Sequence, residues 1–187
     1  AGCFVEFVGR KRESLYGSNN VYTLVLDAKS ARPVASGGVV GNVNAPRSLP
    51  AELSQAPNRG YSFSAPGSDP WYDQRLAASN TPAQLTRSFS LPGRVAGAVN
   101  LSVMLWGGSD FAGDSPDHSI ELLLNGQRLT TRRFDGLVAE QIDISLPENL
   151  LQATNTLTLR VPNDTGYSAD VILLDGYRAA AKRSKAA

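Results

Sequence analysis

The dipeptide Asn125-Gly126 sets the tightest limit on what this chain can fold into. It stands between two runs rich in strand formers, 119–124 and 127–134. Both central residues of a two-residue type I′ hairpin turn require positive φ, which Gly takes freely and Asn tolerates. Before the turn, Ile120, Leu122 and Leu124 share one parity and Ser119, Glu121 and Leu123 the other, the alternation of a half-buried antiparallel strand. After it, Arg128, Thr130 and Arg132 alternate with Leu129, Thr131 and Arg133, so the returning strand is polar and suits a position near a sheet edge, where charge blocks mispairing. A lone hairpin is marginal in water and needs further strands over its apolar face.

The rest of the chain offers them at a regular interval. Stretches 84–91, 98–106, 117–124, 127–134, 140–146, 154–161 and 169–177 all have strand composition, with no sustained helical period between them. This spacing predicts an all-β protein, an antiparallel β-sandwich. Val99, Leu101, Val103 and Leu105 form the expected core face of one strand, leaving Asn100, Ser102, Met104 and Trp106 on the other. Leu157, Leu159 and Val161 oppose Thr158 and Arg160 in the same way, while 171–174 is apolar on both faces and belongs in a central, covered position. Upstream, 3–8, 21–26, 33–43 and 59–64 are expected strands, and 48–57 reads as loop with a helical turn over 51–55. The longest irregular excursion, 65–82, is punctuated by Pro66, Gly67, Pro70 and Pro82 and carries Asp69-Pro70-Trp71-Tyr72-Asp73; such excursions on a β scaffold often hold function. From Ala179 onward no pattern could bury anything, so the expected organisation is one domain over 1–178 and a linker or tail over 179–187.

Composition narrows the function classes. At 187 residues, 42% hydrophobic and 19% charged, the chain can build a full core. Its 18 basic and 17 acidic residues leave a net charge of +1, without the basic footprint of a nucleic-acid binder. Arg10-Lys11-Arg12 and the group Lys182, Arg183 and Lys185 read as solvated loop and tail. No window approaches the roughly 20 apolar residues of a membrane span. No signal-peptide pattern opens the sequence, which therefore reads as a mature chain or an excised domain. The single cysteine, Cys3, excludes an internal disulfide and a zinc site built on paired thiolates. Ala1-Gly2-Cys3 has the form of a cleaved lipoprotein start, but strand-like residues follow at once instead of a flexible tether, so a small buried or edge thiol is the expected reading.

Several stretches together resemble the β-sandwich accessory domain that accompanies the catalytic domain of bacterial gingipain-like cysteine peptidases. They are Tyr-Gly-Ser-Asn-Asn-Val-Tyr-Thr-Leu-Val at 16–25, Asp69-Pro70-Trp71-Tyr72, and the run from Asp117-His118 through Leu124-Asn125-Gly126 to Asn155-Thr156-Leu157-Thr158-Leu159. Val161-Pro162-Asn163-Asp164-Thr165-Gly166 and 170–175 add to them. The resemblance implies a jelly-roll sandwich, similar to carbohydrate-binding modules, on the amino-terminal side of a larger secreted or envelope-associated bacterial protein. The family's catalytic cysteine and histidine belong to a separate α/β domain and have no matching motif here, so the resemblance implies a fragment without activity of its own.

The candidate sites fit that picture. His118, the only histidine, shares parity with Ile120 and Leu122 and is expected to be a structural hydrogen-bonding residue rather than a catalytic base. Asp110, Asp114 and Asp117, on and beside a Gly-containing loop, are hard oxygen ligands suited to Ca²⁺, although Asp turn chemistry accounts for the same residues and the spacing is not that of an EF-hand. Asp164-Thr165-Gly166 is read as a turn. Trp106, on the outward parity near the carboxylate loop, is a candidate sugar-stacking platform unless the 65–82 excursion folds over it. Trp71 and Tyr72 offer the same choice between exposed binding aromatics and anchors of their own loop. The expected function is a non-catalytic binding or docking module, for carbohydrate or for an adjacent catalytic domain.

Overall fold

Alternation of apolar and polar side chains governs the strands, and it sorts them into two layers. A computed structural model of the protein describes Tyr22, Thr23 and residues 48–67, 69–113 and 116–184. The chain divides into two compact units, Ala1–Ala45 and Pro46–Ala187. Of the first, Tyr22 is exposed and neither described residue lies in a strand; Cys3 and the strands expected over 3–8 and 33–43, with most of 21–26, lie outside the described residues.

The second unit contains β1 (Ser48–Gln55), β2 (Gly60–Tyr61), β3 (Trp71–Tyr72), β4 (Gln74–Ala78), β5 (Ala83–Ser90), β6 (Val99–Gly107), β7 (His118–Leu124), β8 (Gln127–Phe134), β9 (Ala139–Leu146), β10 (Thr154–Val161) and β11 (Asp170–Ser184). One sheet has the order β1-β11-β6-β9, with β4 also paired to β11; the other has the order β5-β10-β7-β8; β2 and β3 form a separate ribbon. All of these pairings are antiparallel. Inward residues of both sheets, among them Leu101, Val103, Ile120, Leu122, Leu159 and Leu174, are buried in one shared core. The fold is an antiparallel β-sandwich of jelly-roll type. No helix among the described residues is long and apolar enough to cross a membrane.

The turn that organises the sequence has the expected form: Asn125 and Gly126 have φ of 51° and 84°. The Asn125 amide also bonds outward, its Nδ2 donating to Leu150 O at 2.7 Å and its Oδ1 accepting from Thr156 N at 2.8 Å. The hairpin is thereby locked to β10.

Several expectations about elements are corrected, among them the irregular excursion over 65–82, which contains β3 and the sheet strand β4. Residues 48–55 are strand, not loop with a helical turn, and the chain from Ala179 to Ser184 is the second half of β11, not tail. The two segments pair with each other, Leu53 opposite Ala179 and Ala51 opposite Ala181. Neither segment announces itself, since β1 holds Pro50 and the end of β11 starts with three alanines of weak strand preference, yet Leu53 and Ala181 pack against the core. Midway along β11, the register shifts between Leu174 and Gly176, and the neighbour changes from β4 to β1. Gly176 is required there, because an added Cβ would lie 2.5 Å from Gln55 O as the chain leaves β1. The strand expected over 59–64 is reduced to β2.

Candidate functional site

Leaving β1, the chain runs out over the five-stranded sheet and returns as the β2–β3 hairpin. Gly60 pairs with Tyr72 and Tyr61 with Trp71. Arg59 N donates to Tyr72 O and Ser62 N to Pro70 O, both at 2.9 Å. Asp69 Oδ1 accepts from Trp71 N at 3.1 Å, an Asx-type turn that sets the return strand.

One face of this hairpin is an anchor. The Tyr72 ring lies across Gly60, where an added Cβ would fall 2.3 Å from the ring, so only glycine admits the arrangement. Tyr72 then meets the Trp106 indole edge to face, with centroids 6.0 Å apart and planes at 81°. Val171 and Leu173, outward residues of β11, complete this small apolar cluster with Ala65. A buried carboxylate fixes the far end: Asp73 accepts from Arg59 at 2.6 Å and from Arg87 at 3.0 Å, with only 2% of its side chain exposed. Arg87 belongs to β5, so this clamp ties the hairpin to the opposite sheet as well.

The other face is open. Tyr61 packs edge to face on Trp71 at 5.2 Å and on Phe63 at 5.0 Å. Phe63 is 94% exposed and Tyr61 45%. Phe63, Tyr61 and Trp71 thus form an aromatic group, partly in water, on a backbone pinned from below.

Trp106 therefore does not supply an exposed platform. It is 5% exposed, and its indole lies beneath Tyr72 and Ala65 of the excursion. Outward parity placed it on the outer face correctly, but that face is covered. Tyr72 is the anchor, and Trp71 is half-buried on the open side with Tyr61. The three predicted aromatics thus gather at one hairpin in different roles. Tyr61 and Phe63 are the residues that sequence reasoning missed. Their signal was an aromatic pair at 61 and 63 alternating with Ser62 and Ser64, which read as strand composition.

The candidate carboxylates Asp110 and Asp117 have different surroundings. Asp110 is exposed and Asp114 lies outside the described residues. Asp117 is fully buried, and both its oxygens are occupied by backbone donors: Phe111 N reaches both at 3.2 Å, and Gly136 N donates to Oδ2 at 3.2 Å. It thereby links Phe111 to the turn after β8. Among the described residues, no three metal-ligating side chains come together. Asp164 forms an exposed ion pair with Arg133 at 2.8 Å.

His118 is fully buried on the inner face of β7, in the structural role its parity suggested. Its Nδ1 lies 2.8 Å from Asp170 Oδ1, and its Nε2 donates to Ser109 O at 3.1 Å. Ser119 N donates to the second Asp170 oxygen at 2.9 Å. Both ring nitrogens are thus engaged within the fold. The pair joins β7 of one sheet to β11 of the other. The partner, Asp170, was not assigned from sequence.

No protein-family model matches the chain, and the search of curated proteins gives no match. Among solved structures, similarity extends to dimeric latent PorU from Porphyromonas gingivalis, 16% identical with a TM-score of 0.55, over 74% of this chain and 13% of that one. The chain thus spans a small part of that protein's length, and the likeness shows a common fold. Further similarities are to the CBM36-1 domain of a multidomain xylanase from the hindgut metagenome of Trinervitermes trinervoides, 11% identical, TM-score 0.45, over 70% of this chain and 96% of that one. A carbohydrate-binding module CBM36, in complex with calcium and xylotriose, is 13% identical with a TM-score of 0.42, over 68% of this chain and 97% of that one.

Proposed function

We propose that this chain is a non-catalytic docking module of a longer bacterial protein of the envelope or secreted fraction, and that the open face of the β2–β3 hairpin is its contact surface. The observation that carries the reading is the ring cluster of Phe63, Tyr61 and Trp71 on an anchored backbone. A sugar face stacks best on a ring lying flat in the surface. Here successive rings stand at 77° and 84° to one another, forming a knob rather than a flat platform. A rigid aromatic knob suits insertion into an apolar pocket of a neighbouring protein domain, where such residues dominate binding energy. The sequence resemblance to accessory sandwiches of gingipain-like peptidases supplies the class of neighbour, a catalytic domain of the same protein.

Carbohydrate binding is the second reading, favoured by the exposure of Phe63 and by Trp71 beside it. One stacked ring contributes about 1 kcal/mol beyond area burial, so a single saccharide would be held near millimolar affinity. Ca²⁺ belongs to this reading only, through Asp110 and Asp114.

Calorimetric titration of the module against the remainder of the longer protein distinguishes the two. Docking predicts binding that Phe63→Ala weakens by about 2 kcal/mol, the scale of an interface hot spot. No binding in trans, together with a Phe63-dependent response to a glycan panel with or without Ca²⁺, would replace docking with carbohydrate recognition.

A further inference from the structure

At the end of the sandwich where β11 finishes, β1, β11 and the turn after β5 enclose a cleft of about 190 Å³ lined by Leu53, Leu91, Ala181, Arg94 and Arg183. The turn is held in place by backbone bonds, Val95 N to Lys182 O at 3.0 Å and Ser184 N to Gly93 O at 2.8 Å, and Gly93 takes a φ of 69° to close it. The cleft is therefore preformed.

Its charge is unbalanced. Arg94 and Arg183 are direct cross-strand partners, a register that places like charges side by side and destabilises the pair. Arg183 is exposed and shares its parity with Ala181 and, across the strands, with Leu49 and Ala51. Arg94 has one carboxylate, Glu148 at 3.3 Å, itself half exposed. Arg183 has none among the described residues. Glu52, the acidic residue of the lining, stands on the opposite parity of β1, with Pro50 and Ser54.

We infer that this cleft binds a small carboxylate, its two oxygens taken by the Arg94 and Arg183 guanidinium groups and its short hydrocarbon body laid on Leu53 and Leu91. Guanidinium matches carboxylate geometry with paired N–H donors, and an apolar floor beside it selects an acid with a few carbons over a bare inorganic anion. A free short-chain acid and the carboxylate end of a peptide present the same group. This site is separate from the aromatic hairpin and does not depend on its role.

The test is an amide-detected NMR titration of the whole chain with butyrate, butyramide, N-acetyl-Ala-Ala and sulfate. Butyrate or the peptide should shift the amides of Leu53, Leu91 and Ala181 with millimolar affinity, the tighter of the two naming the source. Butyramide should leave them unmoved, and Arg183→Gln should weaken binding at least tenfold while Arg183→Lys keeps part of it. Equal response to butyrate and butyramide, equal affinity for sulfate, unchanged binding in Arg183→Gln, or no shift with either carboxylate would overturn the inference.

Discussion

Gly126 carries a φ of 84° in open space, with nothing within 4 Å of where a Cβ would stand. A substitution there meets no steric obstacle, so its cost is conformational strain alone. Gly126→Val should destabilise by about 1–2 kcal/mol, the penalty for a side chain in the left-handed region. Urea denaturation would read it; an unchanged midpoint contradicts the turn's role. This residue was legible because type I′ geometry is a local demand. His118 was half legible. Its parity placed it inward, but Asp170 lies 52 residues away and nothing local couples them. Removing one partner strands the other in the core, so His118→Ala should cost about 3–5 kcal/mol. Replacing both His118 and Asp170 by leucine should recover part of that loss, and a double variant less stable than His118→Ala would contradict the pairing.

Among elements, the seven strands downstream of Pro82 match their sequence expectations within one residue at every end except the last. Most of them alternate, the last being apolar on both faces at its start, and each is bounded by turn or loop residues. β1 and the end of β11 escaped notice because Pro50 interrupts the one and three consecutive alanines followed by charge blur the alternation of the other, and because the partner that gives each its meaning is far along the chain. The outer face of the four-stranded sheet carries its own cross-strand link: Glu121 on β7 accepts from Arg128 of β8 at 3.1 Å and from Arg160 of β10 at 2.8 Å. The Arg160 hydrogen bond, ahead of the opposing effect of desolvation and helped by Arg128, holds the Glu121 carboxyl below its ordinary value of 4.5. A lowered folded-state value means stabilisation that is complete above 4.5 and is lost as pH falls through the lowered value. Glu121→Gln should therefore cost up to about 1 kcal/mol at neutral pH and nothing at strongly acid pH, as measured by melting curves across the acid range. An equal loss at both extremes would assign the effect to packing. The β2–β3 hairpin makes a sharper demand. Gly60→Ala should push Tyr72 off its seat and uncover Trp106, seen as red-shifted emission and increased acrylamide quenching. Emission identical to wild type would mean that Tyr72 is not the anchor.

For the molecule as a whole, sequence established the sandwich but not what covers it. Parity assigned Trp106 to the outer face and could not report that the excursion returns across that face; this depends on Gly60, Tyr72 and the Asp73 clamp acting together in three dimensions. The contact role proposed above therefore falls not to an indole in the sheet but to the rings of Phe63, Tyr61 and Trp71 over it. Hydroxyl-radical footprinting tests that role without any substitution, by comparing the oxidation rates of Phe63 and Tyr61 in this chain alone and in the longer protein that the proposal requires. Leu137 and Val138, exposed beyond β8, serve as internal controls. Docking predicts that Phe63 and Tyr61 are protected severalfold in the longer protein while the controls are unchanged. Equal oxidation of Phe63 in both would contradict it.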